Sequence, residues 1–335
     1  MLLVVGGCSD HAAGGGDQSA SSAGQVSVGG SSVPTSGATP SRRVFANPDK
    51  LTAQDALGDL TLLNPCSVID PDTLPDTWTT VIDVPVAFNF CEISVTTREG
   101  AVIEARVGKP QLPWSTGKES PSSKLEAGIS IAHGRPDIRG GCARDVVFAD
   151  GLALGVNAVA DTSMGNTDPC VVSDALADHV VSVVLDGRAE SLTLPEGSLG
   201  GLDACTLVGP ELLAAVPGLG ADVEPMEFVA GHSCWWENPD TRATLDLEFE
   251  IGPLPVGDSG GALHGRYTAT TQYADFGEFS LCEVGGEHVP FEYEDEMAIV
   301  ESVTILVRLP AGQGKAACTA ASTIADRLWQ ALPPL

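Results

Sequence analysis

Nine cysteines punctuate the chain, and apart from Cys8 they fall into two sets, Cys66, Cys91, Cys142, Cys170 and then Cys205, Cys234, Cys282, Cys318. The internal spacing of the two sets is nearly the same, so each cysteine of the first has a counterpart at an almost constant offset. Unrelated positions would seldom repeat in this way, and the pattern predicts a tandem duplication with one copy over residues 46–190 and a second over 191–335. Even numbers of cysteines in each copy point to internal disulfides formed in an oxidising compartment. No Cys-x-x-Cys pair is present for redox work or for a zinc cluster.

The flanking residues keep the same register. LNPCSVIDPDTLP around Cys66 parallels LDACTLVGPELLAAVPGL around Cys205. The second predicts a helix with Leu207, Leu212, Leu213 and Val216 near one face, whereas Pro71 and Pro75 interrupt the first. FNFCEISVTTREG and AVIEARVGKPQLP then correspond to EFVAGHSCWWENPD and RATLDLEFEIGPLP. In the last of these Thr244, Asp246, Glu248 and Glu250 alternate with Leu245, Leu247, Phe249 and Ile251, the period of a strand with one wet and one buried face.

The third cysteine of each set opens a further pair of strands, and each copy closes with a helix, DPCVVSDALADHVVSVV or AACTAASTIADRLWQAL. The order α-β-β-β-β-α predicts an α+β fold of two tandem repeats, each an antiparallel sheet with helices packed on one face and two disulfides. Four cysteines allow three pairings per copy. Joining the first to the second and the third to the fourth is favoured, because it pins each terminal helix to a neighbouring strand.

A formal net charge of -28 repels a phosphate backbone and sets nucleic acid aside as a partner. It also repels anionic lipid, so membrane attachment would need an anchor. MLLVVGGC resembles the end of a bacterial lipoprotein signal, with Cys8 as the lipidated residue. The missing basic n-region and short apolar run read as a truncated signal over residues 1–8, with the start placed too far downstream. Residues 9–45, rich in Gly, Ser and Ala, read as a disordered tether. Its random-coil reach is roughly 30 Å.

Three stretches carry candidate chemistry. GDSGG, with Ser259 at its centre, resembles the active-serine segment of chymotrypsin-like proteases, and His133 and His179 are the available upstream histidines. Helices closing both copies do not suit a two-barrel protease, so Ser259 reads as part of a Gly-rich hairpin loop. The acidic run Glu283, Glu287, Glu292, Glu294, Asp295 and Glu296 lacks the spacing of a calcium loop and reads as solvated. His232, Trp235 and Trp236, with Trp114 in QLPWST, form the candidate ligand surface. Neighbouring residues on a strand point to opposite faces, so one of the adjacent tryptophans is expected inside and the other at a surface.

With these residues in view, NPCSVI to FNFCEI and DACTLV to GHSCWW resemble actinobacterial exported lipoproteins of unknown function. GGCARDVVFADGLALGV with DPCVVSDALADHVV, and FSLCEV with AACTAASTIADRLWQAL, are similar to the extracellular sensor domain of mycobacterial serine/threonine kinases. The resemblance implies a lipid-anchored protein on the extracytoplasmic face of the cell membrane. It implies disulfides and a ligand cleft, and it brings no catalytic residue. The sequence therefore predicts a non-catalytic binding or sensor-like module for an envelope ligand or protein, with no cofactor and no metal. A serine hydrolase using Ser259 and a purely structural envelope protein are the alternatives.

Overall fold

Two of the cysteine-bearing helices begin with an aspartate placed two residues before the cysteine, and this local chemistry sets where the crosslinks stand. The side chain of Asp168 accepts from the Cys170 main-chain N–H at 2.9 Å, and Asp203 does the same for Cys205. Asn64 caps the 3-10 turn Pro65–Val68 through Cys66 N–H at 3.1 Å. A cap of this kind contributes about 1 kcal/mol and fixes the cysteine in the first turn, facing the sheet.

The computed structural model describes residues 45, 47 and 49–334, apart from 70–77, 99, 112–122, 125, 135, 137–139, 161–167, 253–261, 264–266 and 292–298. Residues 42–335 form one unit. The first half contains β1 (Thr79–Ala87), β2 (Phe90–Thr96), β3 (Val102–Gln111), β4 (Ser123–Lys124), β5 (Ser130–His133), β6 (Cys142–Val147) and β7 (Ala153–Ala160), with helices α1 (Ala53–Leu57) and α2 (Pro169–Leu185). The second contains α3 (Ala204–Leu207), α4 (Pro210–Leu213), β8 (Met226–Glu227), β9 (Ser233–Asn238), β10 (Ala243–Gly252), β11 (Ala262–Leu263), β12 (Tyr267–Asp275), β13 (Phe279–Phe291), β14 (Ile299–Pro310) and α5 (Gly314–Ala331).

The strands make two sheets, ordered β1-β2-β3-β7-β6-β5-β4 and β8-β9-β10-β14-β13-β12-β11. Read in parallel, the two orders are identical, and every neighbouring pair is antiparallel. The protein is an α+β fold of two tandem antiparallel-sheet repeats, each flanked by helices and carrying two disulfides. In each repeat the first cysteine is bonded to the second and the third to the fourth: Cys66–Cys91, Cys142–Cys170, Cys205–Cys234 and Cys282–Cys318, all with Cα atoms 5.0 Å apart.

Helix α2 buries Val172, Leu176, Val180 and Val184 against β3, β6 and β7. Its counterpart α5 buries Ala317, Ala321, Ile324 and Leu328 against β12, β13 and β14. Each fully buried Val, Leu or Ile contributes about 1.5–3 kcal/mol. The Trp329 ring of α5 lies directly on β13 at Gly286, where a Cβ would stand 2.7 Å from its Cζ2, so no larger residue fits beneath it.

Each half holds more strands than the four expected from the sequence. The additional ones include β1, β4 and β5 in the first half and β8, β11 and β12 in the second. The helix expected around Leu207 to Val216 is two short helices instead, α3 and α4. Pro210 has no N–H to continue the first, and it opens the second with Gly209 as N-cap.

The Cys282–Cys318 bridge closes a loop of 36 residues, which in the chain-entropy picture corresponds to about 3–4 kcal/mol. Urea unfolding of the Cys282→Ala/Cys318→Ala variant is predicted to show a loss of that size. A loss below about 1 kcal/mol would contradict a stabilising role for the staple.

Candidate functional site

The two repeats meet at hairpin tips. Phe88 and Asn89 form the turn between β1 and β2, and Phe88 is 1% exposed although it belongs to the first repeat. Its ring packs in the core of the second repeat, with Leu192, Leu199 and Phe291 in the same cluster. It lies 4.8 Å from the His232 ring at 35° and meets Phe291 edge-on at 6.4 Å. Gly200 makes room for it, since a Cβ there would stand 2.7 Å from Phe88 Cε1.

His232 is fully buried, and its Nε2 lies 3.0 Å from the Gly200 carbonyl, so Nε2–H donates to that oxygen. Burial lowers its pKa, opposed by the main chain of Gly200 and Thr61 and by the Asp59 carboxylate. The connector between repeats is held from both sides. Leu192 N–H donates to Leu62 O at 2.6 Å, and the buried Glu301 of β14 accepts from Ser198 Oγ at 2.5 Å and Leu199 N–H at 2.7 Å. Burial raises the Glu301 pKa, while these two donors oppose the rise.

A cavity of about 330 Å³ opens beside this junction, bounded by Thr61 from the first repeat and by Leu202, Asp203, Phe228, Val229 and Gly231 from the second. Of these Val229 is 37% exposed, so part of the lining is apolar and open to solvent. Asp203 is engaged in capping α3, and among the described residues the mixed wall holds no nucleophile-base pair. A shallower groove of about 540 Å³ runs along α5 and is bounded by Pro217, Gln313, Lys315, Thr319 and Thr323.

The outer face of the second sheet carries a band of carboxylates. Trp235 on β9 stands opposite Asp246 on β10, which stands opposite Leu306 on β14, and Leu306 stands opposite Glu283 on β13. Glu248 and Glu250 continue the band, and Thr304 Oγ1 donates to Glu250 at 3.2 Å. All these side chains are half-buried, and Asp246 Oδ1 is sealed from solvent with no hydrogen-bond partner. Burial, reinforced by the Glu248 charge, pushes Asp246 up to about 8, with Lys109 opposing. The same two causes push Glu250 up to about 7, against the Thr304 hydrogen bond, and raise Glu283. Lys109 reaches in from the first repeat, its Nζ 5.0 Å from the centroid of the Phe228 ring.

The residues nominated from sequence separate accordingly. Trp236 is 1% exposed and His232 is buried, so neither offers a ligand surface directly; alternation along β9 leaves that role to Trp235. Trp114, Ser259, Cys8 and the acidic residues Glu292, Glu294, Asp295 and Glu296 lie outside the described residues. Glu283 and Glu287 sit on β13 rather than in a solvated loop. The sequence reading does not single out Phe88, Glu301 or the burial of the β10 carboxylates. The alternation in TLDLEFEI marks those carboxylates as one face but gives no sign that the face is partly covered. Among the described residues no group of three or more His, Cys, Asp or Glu could hold a metal ion, and no helix is long and apolar enough to cross a membrane.

No protein-family model and no curated protein matches the chain. Among solved structures, one of MucB in complex with MucA(peri) is 10% identical, with 72% of this chain and 90% of that chain covered. Its TM-score of 0.13 is too low to support an argument about fold or function.

Phe88→Ala removes a buried aromatic plug and is predicted to cost about 3–5 kcal/mol in urea unfolding. The carboxylates give a pH signature, because the folded state holds the Asp246 and Glu250 protons more tightly than the unfolded chain does. Their burial therefore removes stability progressively as pH rises from about 4 towards the folded-state values of about 7 and about 8. His232 and His288, held neutral by burial, act the other way, and stability falls as pH drops below about 6.5. Asp246→Asn should raise stability more at pH 8 than at pH 5, and an equal gain at both values would contradict the burial.

Proposed function

We propose that the protein is a lipid-anchored, extracytoplasmic binding module without catalytic activity, which holds a small ligand or an envelope partner where its two repeats meet. The observation that carries this reading is the cavity of about 330 Å³ between Thr61 of the first repeat and Leu202, Phe228 and Val229 of the second. Pockets concentrate at junctions of this kind, and a mixed wall with a few polar groups suits recognition. Four disulfides support an oxidising compartment. The resemblance of the N-terminus to a lipoprotein signal supports attachment through Cys8, followed by a tether over residues 9–45. The resemblance to actinobacterial exported lipoproteins and to kinase sensor domains supports the same location and a sensor-like role.

Native mass spectrometry of the protein extracted from its own envelope tests this reading. The expected result is a lipid mass on Cys8, four intact disulfides and a retained ligand that is lost in Leu202→Trp, which fills the cavity. A cytosolic protein with free thiols and no retained mass would overturn it.

A further inference from the structure

The bridge between Cys142 of β6 and Cys170 of α2 has a cation against one of its sulfurs. Arg144 Nη1–H donates to Cys142 Sγ at 3.0 Å. Two further acceptors hold the guanidinium there: Ala143 O takes a bond from Nη1 at 2.9 Å, and Asp174 on α2 accepts from Nε at 2.5 Å. The Arg144 side chain is 11% exposed, so water screens its charge little. In the duplicate bridge, the residue two places after Cys282 is Val284, fully buried in the second core. The first repeat thus holds a guanidinium where the second holds an apolar side chain. The two sulfurs of the first-repeat bridge also differ in access. Cys142 is buried, whereas Cys170 is partly exposed and is followed by Val171, which is 53% exposed.

We propose that Cys170 is a modification site, at which a small uncharged aliphatic thiol forms a mixed disulfide and expels Cys142 as a thiolate beneath Arg144. The thiol first gives its proton to solvent. Its sulfur then attacks Cys170 Sγ, a new S–S bond forms as the Cys170–Cys142 bond breaks, and the bonding pair leaves on Cys142 Sγ. One disulfide replaces another, so no oxidant or reductant is consumed, and attack by the Cys142 thiolate on the adduct restores the bridge. Exchange is faster when the leaving thiolate is better stabilised, and an adjacent guanidinium stabilises a thiolate. The same geometry sets the direction, because the sulfur open to attack is the one whose partner leaves towards the cation. An uncharged thiol fits the surroundings: the chain carries a net charge of -28, and the exposed Asp168 and Asp174 flank Cys170 on α2, so an anionic thiol is repelled. Contacts independent of the bridge keep α2 on its sheet. Ser173 Oγ lies 3.3 Å from Cys142 O and 3.1 Å from Val156 O, and Val172, Leu176 and Val180 stay buried.

The test treats the oxidised full chain with 2-mercaptoethanol under native conditions, quenches with acid and maps the peptides by mass spectrometry. The first product is predicted to carry one thiol adduct, on Cys170, with Cys142 free and the other three bridges intact. Arg144→Gln should slow its formation by about tenfold or more. Asp174→Asn breaks the ion pair to α2 but keeps the guanidinium, and it should not slow the reaction. The two variants separate the proposal from a purely structural role, since an Arg144 that only tethered α2 would, when removed, loosen the turn and speed the opening. At equal thiolate concentration, mercaptoacetate should react more slowly than 2-mercaptoethanol. A different bridge opening first, an adduct on Cys142, or opening of Arg144→Gln as fast as the wild type or faster would overturn the proposal. Equal slowing by Asp174→Asn, or faster reaction with mercaptoacetate, would do the same for the role of the guanidinium and for the class of thiol.

Discussion

Everything in this fold depends on helices being covalently tied to strands of their own sheet. Cys170 in α2 is bonded to β6 and Cys318 in α5 to β13, while Cys66 and Cys205 tie the opening turns to β2 and β9. Asp168, Asp203 and Asn64 prepare three of these bonds by capping the turn through the cysteine's own N–H. The staple and the cap thus act on the same residue. This matters for a chain with few aromatic side chains, whose cores are built largely from Val, Leu, Ile and Ala.

Duplication made two copies of one sheet, and the places where they differ are where they touch. The tip of the β1-β2 hairpin carries Phe88, which enters the neighbouring core, whereas the corresponding turn before β9 carries His232, whose ring receives it. Gly200 is the steric counterpart of that insertion. Beside the plug the surfaces do not close completely, and the cavity at Thr61, Leu202 and Phe228 is what remains. Lys109 crosses the same boundary to Phe228 and towards Asp246, so the junction and the carboxylate band share one element of the first repeat.

The duplication, the α+β class and the strands around each cysteine are legible in the sequence because they rest on local signals: repeat spacing, two-residue alternation and helical stripes. The edge strands are not. β4, β8 and β11 are two residues long, and β1 contains Pro85 at a register shift, so none has a clear period of its own. The helix expected after Cys205 runs too far because its apolar spacing continues past Pro210, where the main chain restarts. At the site, the adjacent tryptophans divide between faces as alternation requires, with Trp236 inside and Trp235 half-buried outside. Phe88 gives no such signal, because its importance comes from a contact with His232 in the other repeat that no local pattern encodes. The acids of β10 read as a wet face for the same reason, since their partial cover comes from tertiary packing.

Peptide mapping of the unreduced protein by mass spectrometry tests most directly whether the chain is two separately stapled copies. The predicted result is four linked peptide pairs, Cys66 with Cys91, Cys142 with Cys170, Cys205 with Cys234 and Cys282 with Cys318. A bond joining the two repeats, or different pairings in the two halves, would contradict it.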